Sequence, residues 1–155
     1  MNINDTRHCI SLNSGIYQPV PLQYHEISPT RKIAFRKFER SIEPTILYIP
    51  GFLSTMDLSK VVILEQYARD RGYSNLRYDQ ECSGLSTGDQ RTIEFEHWLE
   101  DALVMLDNYT MGKVVVVASS LGCWIATFMM QRRPERIAGT VAYYFLHKET
   151  NHFSC

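Results

Sequence analysis

Hydrophobic residues recur along this chain with two different periods, and segments of the two kinds alternate. Residues 32–38 switch between apolar and polar side chains, which predicts a half-buried strand. Residues 45–49 are apolar on both faces and end at Pro50-Gly51, a pattern typical of a buried strand that runs into a tight turn. Residues 113–119 contain four consecutive valines, as a central strand of a parallel sheet does.

Other segments repeat their apolar residues every three or four positions, which is the spacing of one helix face. The clearest of these covers residues 92–109. The predicted elements in chain order are strand 32–38, strand 45–49, helix 59–71, strand 75–78, helix 92–109, strand 113–119, helix 121–133 and strand 137–146. This alternation predicts an α/β fold, a three-layer αβα sandwich around a mostly parallel sheet.

One folded domain is expected over residues 31–146, with a different kind of segment at each end. Residues 1–30 are polar, contain three prolines and show no sustained period, which predicts a loose polar leader. Residues 147–155 are expected to form a short polar tail. The leader has few arginines and contains an aspartate, so its composition gives no sign of a mitochondrial transit peptide.

The composition is that of an ordinary globular domain. The 155 residues include 16 Lys and Arg against 17 Asp and Glu, a formal net charge of −1, and 45% are hydrophobic. This balance excludes a disordered or coiled-coil protein and offers no basic surface for nucleic acid. The four cysteines, at positions 9, 82, 123 and 155, form no C-x-x-C motif, which predicts reduced thiols in an intracellular compartment. The longest strongly apolar run, 114–118, is too short to span a membrane.

The valine strand leads directly into Ala118-Ser119-Ser120-Leu121-Gly122, and a predicted helix follows at once. A strand, a small-x-Ser-x-small turn and a helix in this order are typical of a nucleophile elbow, which lifts the serine hydroxyl above the end of the sheet. Ala118 and Gly122 supply the small residues that such a turn needs around Ser120. The Leu121 amide would then face a developing oxyanion. The alternative is that Ser119 and Ser120 only cap the helix.

A second segment, residues 84–88 around Ser86, matches the G-x-S-x-G pattern literally. No apolar strand precedes it and no helical pattern follows it directly, so the strand–turn–helix context of a nucleophile is missing. We interpret Ser86 as part of a glycine- and serine-rich loop at the end of a strand.

The turn after the strand at 45–49 is the expected source of a second oxyanion-hole amide. Gly51 allows the backbone to approach a substrate closely, and the amide of Phe52 follows it. Alone, Pro50-Gly51 is an ordinary turn. Beside a nucleophile elbow, it favours an oxyanion role for Phe52.

Together these motifs resemble the α/β-hydrolase superfamily, and within it the mitochondrial palmitoyl-protein thioesterases. The resemblance extends over residues 32–141 and is most specific at the elbow with Trp124. The matching residues are Pro50, Gly51, Leu53 and Ser54 in the first turn, Arg77, Asp79, Gly84, Ser86 and Gly88 in the following loop, and Ser119, Ser120, Leu121, Gly122 and Trp124 in the elbow.

The resemblance implies the N-terminal half of an α/β-hydrolase fold and a serine hydrolase that cleaves acyl thioesters or carboxylic esters, acyl-glucuronides included. Ser120 would be the nucleophile, acting on an acyl-protein or a small-molecule ester without a metal or other cofactor. The resemblance also implies a mitochondrial location; otherwise the chain is expected in the cytoplasm.

This chain departs from the family pattern at three positions where the family has glycine. Cys82 stands where the family has a loop glycine, and Ala118 replaces the first glycine of the elbow. Cys123 replaces the glycine that follows Gly122, so its thiol must fit between the helix and the sheet.

The remainder of a catalytic triad is missing from the expected positions. On this fold the acid and the histidine follow the serine. No aspartate follows Ser120, and the later histidines, His147 and His152, lie in the polar tail. We therefore expect a truncated hydrolase domain with little or no activity, whose last strand leaves an unpaired edge through which chains could associate. The alternative is a non-catalytic α/β interaction module or an inactive partner of the full-length enzyme.

Overall fold

The computed structural model describes residues 18–40 and 42–143. Within these residues, six strands form one sheet, connected by three α-helices and one short 3₁₀-helix. The strands are β1 Leu22–Ser28, β2 Arg31–Phe38, β3 Ile42–Ile49, β4 Tyr73–Tyr78, β5 Val114–Ser119 and β6 Ile137–Tyr143. The helices are α1 Ser59–Asp70, α2 Phe95–Tyr109 and α3 Leu121–Arg132, and the 3₁₀-helix is Pro134–Arg136. None of these helices is long and apolar enough to cross a lipid bilayer.

The sheet has the strand order β1-β2-β4-β3-β5-β6. Strands β3, β4, β5 and β6 are parallel, and β1 and β2 add an antiparallel pair at one edge. The predicted α/β fold with a mostly parallel sheet is therefore confirmed. Because adjacent parallel strands end at the same edge, the turns that follow β3 and β5 are brought side by side.

The hydrophobic core lies between the sheet and helices α2 and α3. The buried side chains that form it include Ile33, Phe35, Leu47, Ile49, Leu76, Tyr78, Leu99, Ala102, Met105, Leu106, Val114, Val116, Ala118, Ile125, Ala126 and Met129. Arg77 stands between two of these core residues on β4, so it points to the opposite face. There it pairs with Glu65 of α1, which places α1 on the other side of the sheet and completes the three layers.

The expectation of a loose leader over residues 1–30 is wrong for its last part. Residues 22–28 form β1, which pairs antiparallel with β2 across the short connection Pro29-Thr30. Backbone hydrogen bonds to β2 stabilise such an edge strand without a continuous buried face, so its sequence can stay largely polar. The signal that could have found it is the short turn between two extended segments. Residues 1–17 lie outside the described residues.

The predicted boundaries of α2 and β6 need adjustment. Helix α2 begins at Phe95 and not at residue 92, because the preceding residues form a turn in which the Thr92 amide donates to the Asp89 carbonyl at 3.0 Å. Strand β6 follows its prediction as far as Tyr143. The predicted continuation at 144–146 and the tail at 147–155 lie outside the described residues.

Among the described strands, β6 forms the edge of the sheet opposite β1. Its Val141 is 55% exposed, a high value for a large apolar side chain on a strand. A groove of about 410 Å³ runs beside it on the α1 face, lined by Pro44, Ile46, Leu64, Tyr67, Tyr73, Val115, Val117 and Val141.

Candidate active site

Ser120 stands alone between β5 and α3, with a backbone conformation of φ 51° and ψ −118°. A positive φ is unfavourable for a residue with a side chain and marks a sharp, strained turn. The Ser120 amide donates to the Tyr143 carbonyl at 3.2 Å, and its carbonyl accepts from the Cys123 amide at 2.9 Å. The turn is thus anchored to the end of β6 and to the first turn of α3, and the Ser120 side chain is exposed.

Small residues surround this turn because the backbone of β3 passes directly beneath it. A Cβ atom built on Gly122 would lie 2.5 Å from the Ile49 carbonyl oxygen and 2.7 Å from that of Pro50. No real side chain tolerates such distances, so only glycine fits here. Ala118 is fully buried in the core on the strand side of the turn. The requirement for a small residue at position 122 therefore has a direct steric cause.

The turn after β3 lies against Ser120, as the oxyanion-hole prediction requires. A Cβ atom built on Gly51 would lie 3.1 Å from the Ser120 Cβ and 2.9 Å from the Ser119 carbonyl oxygen. The Phe52 side chain is 60% exposed and is therefore not part of the hydrophobic core. Leu121 opens α3, and the first amides of a helix have no acceptor within the helix. The oxyanion roles of Phe52 and Leu121 stay predictions.

Asp79, at the end of β4, ties the two loops beside the site together. Its carboxylate accepts from the Met56 amide at 2.6 Å and from the Leu85 amide at 2.8 Å. Gly84 passes so close that a Cβ built on it would lie 2.1 Å from Oδ2 of Asp79. Burial raises the pKa of Asp79, and the two amide donors partly offset that rise. Asp79 was found by resemblance, but this positioning role was not.

Ser86 has a structural place in the same loop. Its hydroxyl donates to the Asp79 carbonyl at 2.7 Å and accepts from the Ala34 amide at 2.8 Å. The side chain is buried, and the two contacts connect the loop to the middle of β2 and to the residue that follows β4. These contacts agree with the interpretation of Ser86 as a loop residue.

Arg77 forms a buried ion-pair network beneath the turn that follows β3. Its guanidinium lies 2.6 Å from Glu65 and 2.7 Å from Asp57, and it donates to the Met56 carbonyl at 2.6 Å. Arg77 and Glu65 side chains are each only 1% exposed. The network therefore links α1, β4 and the turn by ion pairs, and of these the Arg77–Glu65 pair is desolvated, whereas Asp57 is 44% exposed.

A second charged cluster lies under the loop that follows β4, around Arg31. The guanidinium binds Glu81 at 3.0 Å, Asp101 at 2.6 Å and also Glu100. Asp101 is fully buried and accepts from the Glu81 amide at 2.8 Å. Burial raises the pKa of Asp101 to about 7, against the opposing effects of that amide and of Arg31. Sequence reasoning missed this cluster.

The histidines of the described residues are engaged away from Ser120. His25 Nδ1 lies 2.8 Å from the Tyr109 hydroxyl. His97 Nδ1 lies 2.9 Å from a carboxylate oxygen of Glu81. Neither imidazole forms a hydrogen bond with Ser120 within the described residues. His147 and His152, the candidates in the tail, lie outside the described residues.

A cleft of about 260 Å³ opens beside the turn that follows β3. It is lined by Phe52, Leu53, Glu81, Cys82, Ser83, Gln90, Ile93 and Trp98. The Phe52 and Trp98 rings meet edge to face at 5.9 Å. Trp124 of the elbow is 62% exposed.

The two cysteines that replace family glycines occupy different environments. Cys82 has a φ of 60°, a left-handed conformation that favours glycine. Cys123 is 7% exposed in α3, and its thiol lies 3.5 Å from the Ala118 carbonyl oxygen. The thiol at position 123 thus fits between helix and sheet as the sequence required.

The structure combines a mostly parallel αβα fold with a strained serine turn at the carboxyl end of a central strand. The chain belongs to the α/β-hydrolase superfamily. It is similar to the rat (Rattus norvegicus) protein "Palmitoyl-protein thioesterase ABHD10, mitochondrial", with 28% identity over 128 residues, or 83% of this chain and 43% of the relative. The chain spans less than half the length of the curated relatives that it matches. No protein-family model matches it.

Solved structures give the same result. The α/β hydrolase domain-containing protein 10 from mouse matches with a TM-score of 0.75 and 28% identity, over 79% of this chain and 49% of that chain. A putative hydrolase from Agrobacterium vitis S4 matches with a TM-score of 0.70 and 27% identity, over 79% of this chain and 52% of that chain. The resemblance stated from the motifs is therefore confirmed at the level of the superfamily.

Proposed function

We propose that this chain carries the nucleophile and the oxyanion hole of a serine hydrolase that cleaves acyl thioesters or carboxylic esters. Ser120 is the nucleophile, and the backbone amides of Phe52 and Leu121 bind the oxyanion. The observation that carries this proposal is the backbone of Ser120, a non-glycine residue at φ 51° between a buried strand and a helix. Such strain costs about 1–3 kcal/mol and persists where function or tight surroundings maintain it.

The reaction would follow the usual course of covalent acyl transfer. The Ser120 oxygen attacks the acyl carbonyl, the thiol or alcohol departs with a proton, and water then releases the acid from the acyl-serine. The two amides would stabilise the negative charge that develops on the carbonyl oxygen in both steps. No step requires a metal or another cofactor.

A serine hydroxyl is protonated at neutral pH and needs an adjacent base. Among the described residues, neither His25 nor His97 forms a hydrogen bond with Ser120; their ring nitrogens contact Tyr109 and Glu81 instead. An oxyanion hole and binding alone leave about 10³–10⁴-fold catalysis over water. We therefore expect this chain to turn over activated esters only slowly, unless His147 or His152 supplies the base.

The relative's name supports the choice of substrate, since it describes a palmitoyl-protein thioesterase of mitochondria. S-acylated proteins are thus the first candidates, and acyl-glucuronides are small-molecule candidates by the resemblance of the motifs. Mitochondrial import is part of the same proposal. Fractionation of cells that express the chain with a C-terminal tag would test it, and recovery only in the cytosol would contradict it.

A fluorophosphonate probe tests the nucleophile directly, because such probes label only activated serines. We expect slow labelling that maps to Ser120 by peptide mass spectrometry. Ser120→Ala should abolish the labelling, and Ser86→Ala should leave it unchanged in protein that melts cooperatively. Absence of labelling in folded protein would favour the alternative of a non-catalytic α/β module.

We expect chains to associate through the edge of β6 whether the chain is a hydrolase or the non-catalytic α/β module. Val141 and the adjoining apolar groove leave this edge exposed among the described strands. Val141→Lys should shift the chain toward monomer in size-exclusion chromatography with light scattering, because a charge on the edge opposes strand pairing. An unchanged elution profile would exclude this edge as the contact.

A further inference from the structure

A buried tyrosine lies close to the Ser120 turn on the α1 side of the sheet. Leu47 and Ile49, on either side of Tyr48 in β3, belong to the core on the α2 and α3 side, so the Tyr48 side chain points to the opposite face. It is only 1% exposed. The proposed chemistry does not use Tyr48, yet a buried phenol normally has a hydrogen-bond partner. Its partners therefore indicate its role.

The partners of the Tyr48 hydroxyl come from the two strands that lead to the turn or hold it. The Tyr143 hydroxyl lies 3.5 Å away, and Ser119 donates a hydrogen bond to the phenol oxygen. Strand β5 lies between β3 and β6, so Tyr48 and Tyr143 meet across β5 near its last residue, Ser119.

The Tyr48 hydroxyl is suited to hold its neighbours in place and not to accept a proton from Ser120. Burial and the contact with Tyr143 raise the pKa of Tyr48, and Ser119 offsets only part of that rise. The hydroxyl therefore keeps its proton at neutral pH. It acts as a hydrogen-bonding anchor and not as a base.

Both contacts of Tyr48 lead to the backbone of Ser120. Ser119 precedes the nucleophile directly, and the Tyr143 carbonyl accepts from the Ser120 amide at 3.2 Å. Ser119 and Tyr143 are also register partners between β5 and β6. A non-glycine residue at φ 51° persists only where its surroundings hold it there. One hydroxyl that binds both neighbours of the turn supplies part of that support.

We propose that Tyr48 is a positioning residue for the nucleophile, whose hydroxyl holds Ser119 and Tyr143 together and so keeps the Ser120 turn in its strained conformation. The part of this inference that concerns reactivity rests on the proposed function, whereas the anchoring of the turn does not depend on it. Without the hydroxyl the turn can relax, and a nucleophile that is displaced from its reactive position reacts more slowly.

Tyr48→Phe tests the anchor, because it removes the hydroxyl and keeps the ring, so that no cavity opens. Tyr78→Phe is the matched control. Tyr78 is also fully buried, on the neighbouring strand β4, but it lies in the core on the other side of the sheet. Its hydroxyl has no hydrogen-bond partner within the part of the chain that the structure describes.

Amide hydrogen exchange measures the anchoring without any need for catalysis. The Ser120 amide should exchange about two- to tenfold faster in Tyr48→Phe, the range expected for the loss of one hydrogen bond. The Thr87 amide, which donates to the Lys32 carbonyl at 2.9 Å, is the internal reference and should not change. A lower melting temperature with an unchanged Ser120 amide would show that Tyr48 only supports the fold, and would overturn the proposal.

A double-mutant cycle tests the path through Ser119 and does not depend on Tyr48→Phe alone. Ser119→Ala removes one partner while Tyr48 stays in place, so exchange of the Ser120 amide should accelerate in the same direction. Added to Tyr48→Phe, the same substitution should change nothing further, because the hydroxyl that it bonded is already gone. Additive effects would mean that the two residues act on the turn independently, which would contradict the anchor.

Fluorophosphonate labelling measures the effect on reactivity and separates the two proposals. Tyr48→Phe should slow the labelling of Ser120 by about two- to tenfold, and Tyr78→Phe should leave it unchanged. If Ser120 does not react in the unaltered chain but its amide responds to Tyr48→Phe, the anchor stands and the hydrolase proposal fails. If Ser120 reacts equally fast in both variants, the hydrolase proposal stands and the positioning role of Tyr48 fails.

Discussion

Gly51 lies so close to Ser120 that a Cβ atom on the glycine would stand 3.1 Å from the Cβ of the serine, and 2.9 Å from the Ser119 carbonyl. The contact joins the turn after β3 to the turn after β5. It fixes the distance between the two backbone segments that are proposed to share the oxyanion. The backbone of Ser119 is part of a strained turn and cannot move away at low cost.

Gly51→Ala should therefore disturb the candidate site at once. We expect a loss of about 1–3 kcal/mol in the free energy of unfolding from the forced shift. We also expect at least a tenfold slower reaction of Ser120 with a fluorophosphonate, because the two segments must separate. Urea denaturation and labelling kinetics measure these effects.

Gly139→Ala in β6 is the matched control. A Cβ atom there meets nothing within 4 Å, so the substitution should leave both stability and labelling nearly unchanged. If Gly51→Ala behaves like this control, the close approach of the two turns does not matter for the site.

Substitution of cysteine by glycine is expected to raise stability at position 82 and to lower it at position 123. Cys82 has a φ of 60°, so Cys82→Gly should relieve a left-handed conformation and stabilise the chain by about 1 kcal/mol. Cys123 is buried within α3, so Cys123→Gly should destabilise by about 1 kcal/mol from helix propensity, with a further loss of packing. Thermal unfolding of the two variants beside the unaltered chain checks both signs. Destabilisation by both would mean that packing of the Cys82 thiol outweighs its backbone strain.

The motifs that the sequence revealed are local. Three of these features each lie within one short segment, so the spacing of their residues along the sequence is enough to predict them. They are the Ser120 elbow, the valine strand and the helical period of α2. The Arg31 cluster does not lie within one segment, because Arg31 and Asp101 are 70 positions apart and meet only through the fold. The role of Asp79 was hidden in the same way, since its donors are Met56 and Leu85. Strand β1 escaped prediction because pairing with β2 stabilises it more than its own side chains do.

Arg77 should be essential for folding although it has no role in the proposed chemistry. Its charge is buried with Glu65, and removal of one partner of such a pair costs about 3–5 kcal/mol when the other charge is left unpaired. Arg69, 2.6 Å from Glu65, still pairs with that carboxylate, so we expect a loss at the lower end of this range. Arg77→Met should thus lower the urea midpoint strongly. Arg91→Met is the control, since Arg91 pairs with Asp89 on the surface and is 87% exposed, where ion pairs contribute little. Similar midpoints for the two variants would contradict the assigned network.

The buried carboxyl of Asp101 predicts a distinct pH dependence of stability. Burial raises its pKa to about 7, whereas an aspartate in the unfolded chain titrates near a pKa of about 3.9. Between these values the folded state holds the proton more tightly than the unfolded state does. The contribution of this group to stability is therefore full below about pH 4 and is lost as the pH rises through about 7.

Asp101→Asn removes this titration while keeping an acceptor for the Glu81 amide. Comparison of its free energy of unfolding with that of the unaltered chain, from pH 5 to 7, isolates the group, because Arg31, Glu81, Glu100 and His97 around it are present in both. The unaltered chain should lose stability more steeply than the variant, by at most about 1.4 kcal/mol per pH unit. Parallel curves would mean that Arg31 keeps Asp101 ionised in the folded chain throughout this range, and that the raised pKa is wrong.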